Sequence, residues 1–294
     1  MSKSDKPVKF PVDSSVLRLI QFALHEDIGT GDITSDLSID PQSQGSARFL
    51  LKQEGVVCGL PIIPIIFRQL SDSVHVDILV EEGAYLPANT VIASVTGPAT
   101  ALLSGERTAL NFIQRMSGVA TKTHQYVERV AGTHARILDT RKTIPGWRLL
   151  DKYATAVGGA KNHRVGLYDM VMIKDNHITA CGGIRQAVEM IAEEMRSRPT
   201  MRVEVEAQNL QDVQEILACS GVHRVMFDNF TPDEVELGVQ LVDHALETEA
   251  SGGITYDNIR NYALTGVDFI SVGAITHSAV ALDISMKLFV PRQS

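Results

Sequence analysis

The chain has 294 residues, more than the roughly 100 to 200 that usually share one core, so two domains or a barrel with an appendage are expected. With 44% hydrophobic and 21% charged residues it is globular in composition, which excludes disorder and fibrous repeats, and no apolar run reaches the roughly 18 to 20 residues of a membrane span. A net charge of −8 excludes general nucleic-acid binding, which relies on a broad basic surface.

The opening MSKSDKPVKFP is polar and lacks the apolar core of a secretory signal, so residues 1–12 are expected as a flexible tail. Residues 14–26 place Val16, Leu17, Ile20, Ala23 and Leu24 on one stripe behind a Ser/Asp cap, the spacing of an amphipathic helix, which a loop with Gly29 and Gly31 ends. From 47 to 97 the texture changes to short alternating runs, ARFLLKQ, VHVDILV and TVIASVT, broken by Gly55, Gly59, Gly83 and Pro87. Such runs predict a small antiparallel or mixed sheet. A long helical stretch over about 99–130 then hands the chain to a second domain.

Beyond it, apolar strand, loop and helix recur. Candidate strands lie at 135–140, 168–174, 201–207, 223–228, 245–251 and 268–273, with helical patterns between most of them. This alternation predicts βαβ units and a parallel sheet, which right-handed crossovers wrap into a barrel. The segment falls well short of the ~250 residues of an eight-fold barrel, so the expected fold is α/β: an open or incomplete six-stranded α/β barrel with an N-terminal mixed α/β domain. An open doubly wound sheet is the alternative. The expected bounds are 13–117 for the first domain, 118–280 for the barrel and 281–294 for a C-terminal segment that packs back on the first domain. Cys58, Cys181 and Cys219 are odd in number, widely spaced and free of CxxC, which suits reduced packing residues in a cytoplasmic compartment.

Between 135 and 175 this acidic chain inverts its charge. Arg136, Arg141, Lys142, Arg148, Lys152, Lys161, Arg164 and Lys174 stand against four aspartates, with Gly158, Gly159, Asn162 and His163 interleaved. Crowded cations repel unless carboxylates or phosphates neutralise them, so the run suits a small, highly anionic substrate; a solvated basic face is the plainer alternative. Asp139, Lys174, Glu206, Asp228, Ser251 and Gly273 each end a candidate strand, and in βα barrels those carboxyl ends converge on one mouth. Glu206 and Asp228 offer hard oxygens suited to magnesium (Mg2+) bridging to substrate phosphates, whereas Glu204, on the same face one step deeper, suits a buried basic partner. Structural ion pairs would explain the two acids equally well. The small-residue turns SGGIT (251–255) and VGAIT (272–276) are each expected to open a helix and to hold a phosphate.

The motifs EDIGTGDITSD (26–36), GERTALNFIQRMSGVAT (105–121), DTRKTIPGWRLLDKYA (139–154), KNHRVGLYDMVMIKDNH (161–177), VEVEA (203–207), DNF (228–230), SGGIT and SVGAIT follow one another in the order found in one family. On them the chain resembles the quinolinate phosphoribosyltransferases of NAD biosynthesis over nearly its whole length. The resemblance implies transfer of phosphoribosyl from phosphoribosyl pyrophosphate to quinolinate with decarboxylation, magnesium as cofactor, and a homodimer whose active site is shared between subunits. It also implies that Arg107 reaches quinolinate across the dimer interface while Thr140, Arg141, His163, Arg164 and Lys174 line the same pocket. Lys142 and Lys174 would lie toward phosphoribosyl pyrophosphate, Glu206 and Asp228 would hold magnesium and ribose, and Ser251, Gly252, Gly253, Gly273 and Ala274 would cradle the 5′-phosphate. Ala160 departs from the family's usual third glycine. Glu204 and Glu206 remain alternatives for the metal-side carboxylate.

The competing readings are a related phosphoribosyltransferase acting on another pyridine acid, a Schiff-base lyase in which Lys174 attacks a carbonyl, and a non-catalytic phosphate-binding barrel.

Overall fold

In the computed structural model, residues 8–290 are described. The chain begins with α1 (Ser14–Ile28), α2 (Ile33–Ser38), β1 (Gln44–Leu51), β2 (Gly55–Val56), α3 (Ile62–Arg68), β3 (His75–Ile78), β4 (Tyr85–Leu86), β5 (Val91–Pro98) and α4 (Ala99–Arg129). It continues with β6 (Arg136–Leu138), α5 (Arg148–Val157), β7 (Val171–Ile173), α6 (Asp175–Cys181), α7 (Ile184–Met195), β8 (Val203–Ala207) and α8 (Leu210–Leu217). The last elements are β9 (Arg224–Asp228), α9 (Pro232–Val242), β10 (Glu247–Ser251), α10 (Ile259–Ala263), β11 (Phe269–Ser271), α11 (Ala274–His277) and β12 (Ile284–Phe289).

Contacts divide the chain into two units. The first takes the residues up to His124, Thr143–Gly159, and those from Ser278 onward. Its antiparallel sheet has the order β12-β1-β5-β3. Alternate residues of β1, namely Gly45, Ala47, Phe49 and Leu51, turn inward, the period-two pattern of a half-buried strand. They join a core with Phe67, Ile92 and Leu102, and β12 adds Ile284 and Met286. Gly118 lets the approach to β12 pass α4, because a Cβ there would lie 2.1 Å from the Val280 carbonyl oxygen. In α1, Val16, Ile20 and Leu24 are buried, and the Asp13 carboxylate accepts the Ser15 amide at 2.7 Å as an N-cap. The expected tail, 1–12, lies partly outside the described residues, but Phe10 is buried edge-on against Tyr153 at 5.1 Å, so the chain is anchored from that point.

The second unit comprises Gln125–Lys142 and Ala160–His277. Its six strands are all parallel, in the order β6-β11-β10-β9-β8-β7. The first strand in sequence pairs with the last, as in a barrel, while β6 and β7 share no ladder, so the ring stays open. On the free side of β6, Leu138 and Lys161 form a one-residue parallel bridge. Val205, Val225, Phe227, Ala250 and Ile270 belong to its core beneath the surrounding helices. The division departs from the expected 118–280 domain at both ends, starting at Gln125 and stopping at His277, and it leaves out the stretch 143–159. The stretch 143–159 carries Leu150, Tyr153 and Ala154, which are buried in the first unit's core.

Candidate active site

Strand register fixes the site. In a parallel barrel, alternate side chains of each strand share one face, so the interior is layered. Glu204 lies level with Arg224, Glu206 and Glu249 with Met226, and Ser251 with Asp228. The upper layer, at the carboxyl end, therefore holds Asp228 and Ser251, the next holds Glu206 with Met226 and Glu249, and the one beneath holds Glu204 with Arg224.

Above the upper layer opens a cavity of about 500 Å3 lined by Thr140, Arg141, Lys142, His163, Arg164, Met172, Lys174, Asp175, Glu206, Met226, Asp228, Asn229, Ser251, Gly252, Gly253 and Ser271. Lys174 follows β7, and its amide donates to His177 Nδ1 at 3.0 Å in the first turn of α6, which fixes where its side chain starts. Its ammonium pairs with Glu206 of the neighbouring strand β8. Arg164 donates to the Met170 carbonyl at 3.2 Å, and its guanidinium is held below its ordinary value by burial and then by the charge of Arg141. Two guanidiniums close enough to repel make a region that an anion would relieve.

On the opposite wall, Asn229 takes a left-handed conformation (φ 60°), its amide donates to the Ser251 carbonyl at 2.8 Å, and its side chain donates to Asp228 at 3.1 Å. Gly252 has φ +91°, and a Cβ there would lie 2.1 Å from Asn229 Oδ1, so only glycine fits. Gly253, at φ +62°, has nothing within 4 Å of its missing Cβ, so backbone is left open for a ligand.

Beneath the floor lies a buried polar chain. His163 Nε2 is 3.0 Å from Glu204 Oε2 and 3.6 Å from Glu249 Oε2. Glu249 accepts from Ser271 and, at 2.8 Å, from Arg224, which also binds Glu247 at 2.8 Å and lies 4.1 Å over the Phe269 ring. Burial, then the charge of Glu204, pushes the Glu249 carboxyl up to about 8, and burial raises Glu204 as well. The structure thus separates the two candidate carboxylates: Glu206 lines the cavity, while Glu204 faces a histidine and lies level with an arginine.

Four of the eight run cations, Arg141, Lys142, Arg164 and Lys174, line the cavity. Arg148 and Lys152 lie instead on α5 in the first unit, where Arg148 donates to Thr143 at 2.8 Å and Lys152 is buried. Arg107 is an exposed residue of α4 and is not among the lining residues. Gly273 and Ala274 are not lining residues either, although a Cβ on Gly273 would touch Lys142 Cδ at 3.0 Å, which places Gly273 against that side chain. The turns differ from expectation: SGGIT runs into a loop, with α10 starting only at Ile259, and VGAIT opens a single helical turn, α11. Phosphate would therefore meet backbone amides with little helix dipole behind them. Sequence reasoning missed Met172, Asp175, Met226, Asn229 and Ser271 as lining residues; DNF was the signal for Asn229.

Cations and carboxylates from separate strands, meeting a glycine turn at the carboxyl mouth of an open parallel barrel, define an enzyme of the α/β-barrel class built for phosphorylated anions. "Quinolinate phosphoribosyl transferase, N-terminal domain" matches residues 32–117 and the corresponding C-terminal domain matches 119–287. The chain belongs to this family. It is 43% identical over 277 residues to the Bacillus subtilis protein named "Probable nicotinate-nucleotide pyrophosphorylase (carboxylating)", covering 94% of each chain. It is also 41% identical to the chloroplastic nicotinate-nucleotide pyrophosphorylase of Arabidopsis thaliana, over 98% of this chain and 86% of that one. The nicotinate-nucleotide pyrophosphorylase structure from Francisella tularensis superposes with a TM-score of 0.89 at 38% identity, covering 98% of this chain and 100% of that one.

Proposed function

We propose that the chain transfers phosphoribosyl from phosphoribosyl pyrophosphate to quinolinate and decarboxylates the product, giving nicotinate mononucleotide, pyrophosphate and carbon dioxide. The observation that carries this is one cavity in which Arg141, Lys142, Arg164 and Lys174 face Glu206, Asp228 and the Gly252-Gly253 turn. Membership in the family and the names of its relatives support the same reading.

Guanidiniums and an ammonium neutralise two ring carboxylates and hold them by paired hydrogen bonds, which orients the pyridine nitrogen. The nitrogen attacks the anomeric carbon as pyrophosphate leaves. Positive charge builds on the sugar, and the Glu206 and Asp228 carboxylates favour it. The pyridinium then accepts the electron pair left when carbon dioxide departs from the 2-position, and a proton replaces it. Lys142 suits the phosphate side, beside the turn at Gly273, and Ser251 to Gly253 suit the 5′-phosphate. Glu206 and Asp228 form a hard-oxygen pair on one wall that fits magnesium, which would neutralise pyrophosphate as it departs. Lys174 sits in an ion pair with Glu206, which supports a role in neutralising charge over attack on a carbonyl; borohydride trapping of a substrate adduct on Lys174 would contradict this.

We further propose a homodimer in which the partner's Arg107, exposed on α4, completes the quinolinate site. No described helix is long and apolar enough to cross a membrane. The free cysteines Cys58, Cys181 and Cys219 suit a reducing cytoplasm. An assay with phosphoribosyl pyrophosphate and magnesium tests the substrate: quinolinate is expected to yield nicotinate mononucleotide. Turnover of nicotinate in its place would assign the chain to another pyridine acid.

A further inference from the structure

The family reading places His163 among the groups that bind the dicarboxylate, yet both of its ring nitrogens already face protein. The Arg164 amide donates to Nδ1 at 2.7 Å, so Nδ1 carries a lone pair, and the single proton of the neutral ring sits on Nε2. Nε2 points below the cavity floor, 3.0 Å from Glu204 Oε2 and 3.6 Å from Glu249 Oε2, both carboxyls being buried. Glu249 is itself fixed by Ser271 and Arg224. The His163 amide is held as well, donating to the buried Asp139 carboxylate at 2.7 Å.

His163, Glu204 and Glu249 are close enough together to suggest a cation site. The hydrogen bonds present favour a protonated ring there instead. The proton on Nε2 occupies the position a metal would take, and both Glu249 oxygens already accept hydrogen bonds.

We infer that Glu204 is a positioning residue: it holds His163 as the Nε2–H tautomer, so that Nδ1 anchors the Arg164 amide and aims the Arg164 guanidinium, and His163 gives no ring nitrogen to substrate. This rests on the proposed function for what Arg164 receives, the substrate dicarboxylate, but the tautomer itself does not depend on it. The inward alternation of β8 explains the division of labour: Glu206 meets the ligand at the mouth, and Glu204, two residues earlier, holds the ring that orders the opposite wall.

Two arms test this. In the wild-type protein with 15N-labelled histidine, His163 is assigned by the signal lost in His163→Gln, and its ring is expected to show an unprotonated Nδ1 and a protonated Nε2. An Nδ1–H or doubly protonated ring overturns the inference, with no substrate needed. In the kinetic arm, Glu204→Ala is expected to raise KM for quinolinate about 10-fold or more while KM for phosphoribosyl pyrophosphate stays within about 2-fold. Glu204→Gln, which keeps an acceptor oxygen, is expected to stay within about 3-fold of wild type and to keep the tautomer. Glu204→Ala/His163→Ala is expected to be no worse than His163→Ala alone. Equal losses for both substrates in Glu204→Ala, or additive losses in the double variant, overturn the inference. If Glu204→Ala does not fold, the wild-type spectrum and Glu204→Gln still decide it. Wild-type protein that does not turn over quinolinate would sink the functional reading and leave the tautomer standing or falling on its spectrum.

Discussion

A carboxyl that folding pushes from an ordinary 4.5 up to about 8 makes Glu249 a reporter of the buried chain. Between those values the folded protein holds a proton that the unfolded chain has released, so stability is greatest below the window and falls as pH rises through it. The slope expected from this one group is at most about 1.4 kcal/mol per pH unit, and chemical denaturation of wild type against Glu249→Gln from pH 5 to 8 measures it. The variant should lose that share of the slope. At the cavity wall, Gly252→Ala must move Asn229 and adopt a strained φ, so KM for phosphoribosyl pyrophosphate should rise by about 10-fold or more with the fold retained, as steady-state kinetics on the folded variant would show. Much of the cavity lining was legible in the sequence because Lys174, Glu206, Asp228 and Ser251 each end a candidate strand. The chain from His163 to Arg224 was less so. Its members lie on different strands, and only strand order and register show that Glu204, Arg224 and Glu249 are neighbours.

At the scale of elements, β12 closes the sheet of the first unit through six residue pairs with β1, although more than two hundred residues separate the two strands. Ile284 is buried there, so Ile284→Ala should cost about 2 to 4 kcal/mol in urea unfolding, while leaving cavity geometry and KM values near wild type if the unit stays folded. The six barrel strands and the long helix could be read from periodicity, since apolar runs of fixed length separated by helical patterns admit few arrangements. Two features could not. The segment 143–159 carries cations that look like part of the site, yet Leu150 and Tyr153 are buried elsewhere, and apolar burial outweighs the pattern of charge. The Lys161 bridge is a single residue long, too short to leave any periodic signal.

For the molecule as a whole, the proposed dimer predicts complementation. Arg107→Ala and Lys174→Ala should each be inactive, whereas mixed and exchanged subunits should regain about a quarter of wild-type activity, because half the dimers are mixed and each carries one intact site. Subunit exchange is checked by differential tags and activity by product formation; exchange without recovery would contradict a shared site. The central claim is that one cavity both joins a pyridine dicarboxylate to a sugar phosphate and releases carbon dioxide. Quinolinate labelled in its 2-carboxylate, incubated with phosphoribosyl pyrophosphate and magnesium, measures this most directly. Labelled carbon dioxide, pyrophosphate and nicotinate mononucleotide should appear in equal amounts. Pyrophosphate released without labelled carbon dioxide, or no product from quinolinate at all, would contradict it.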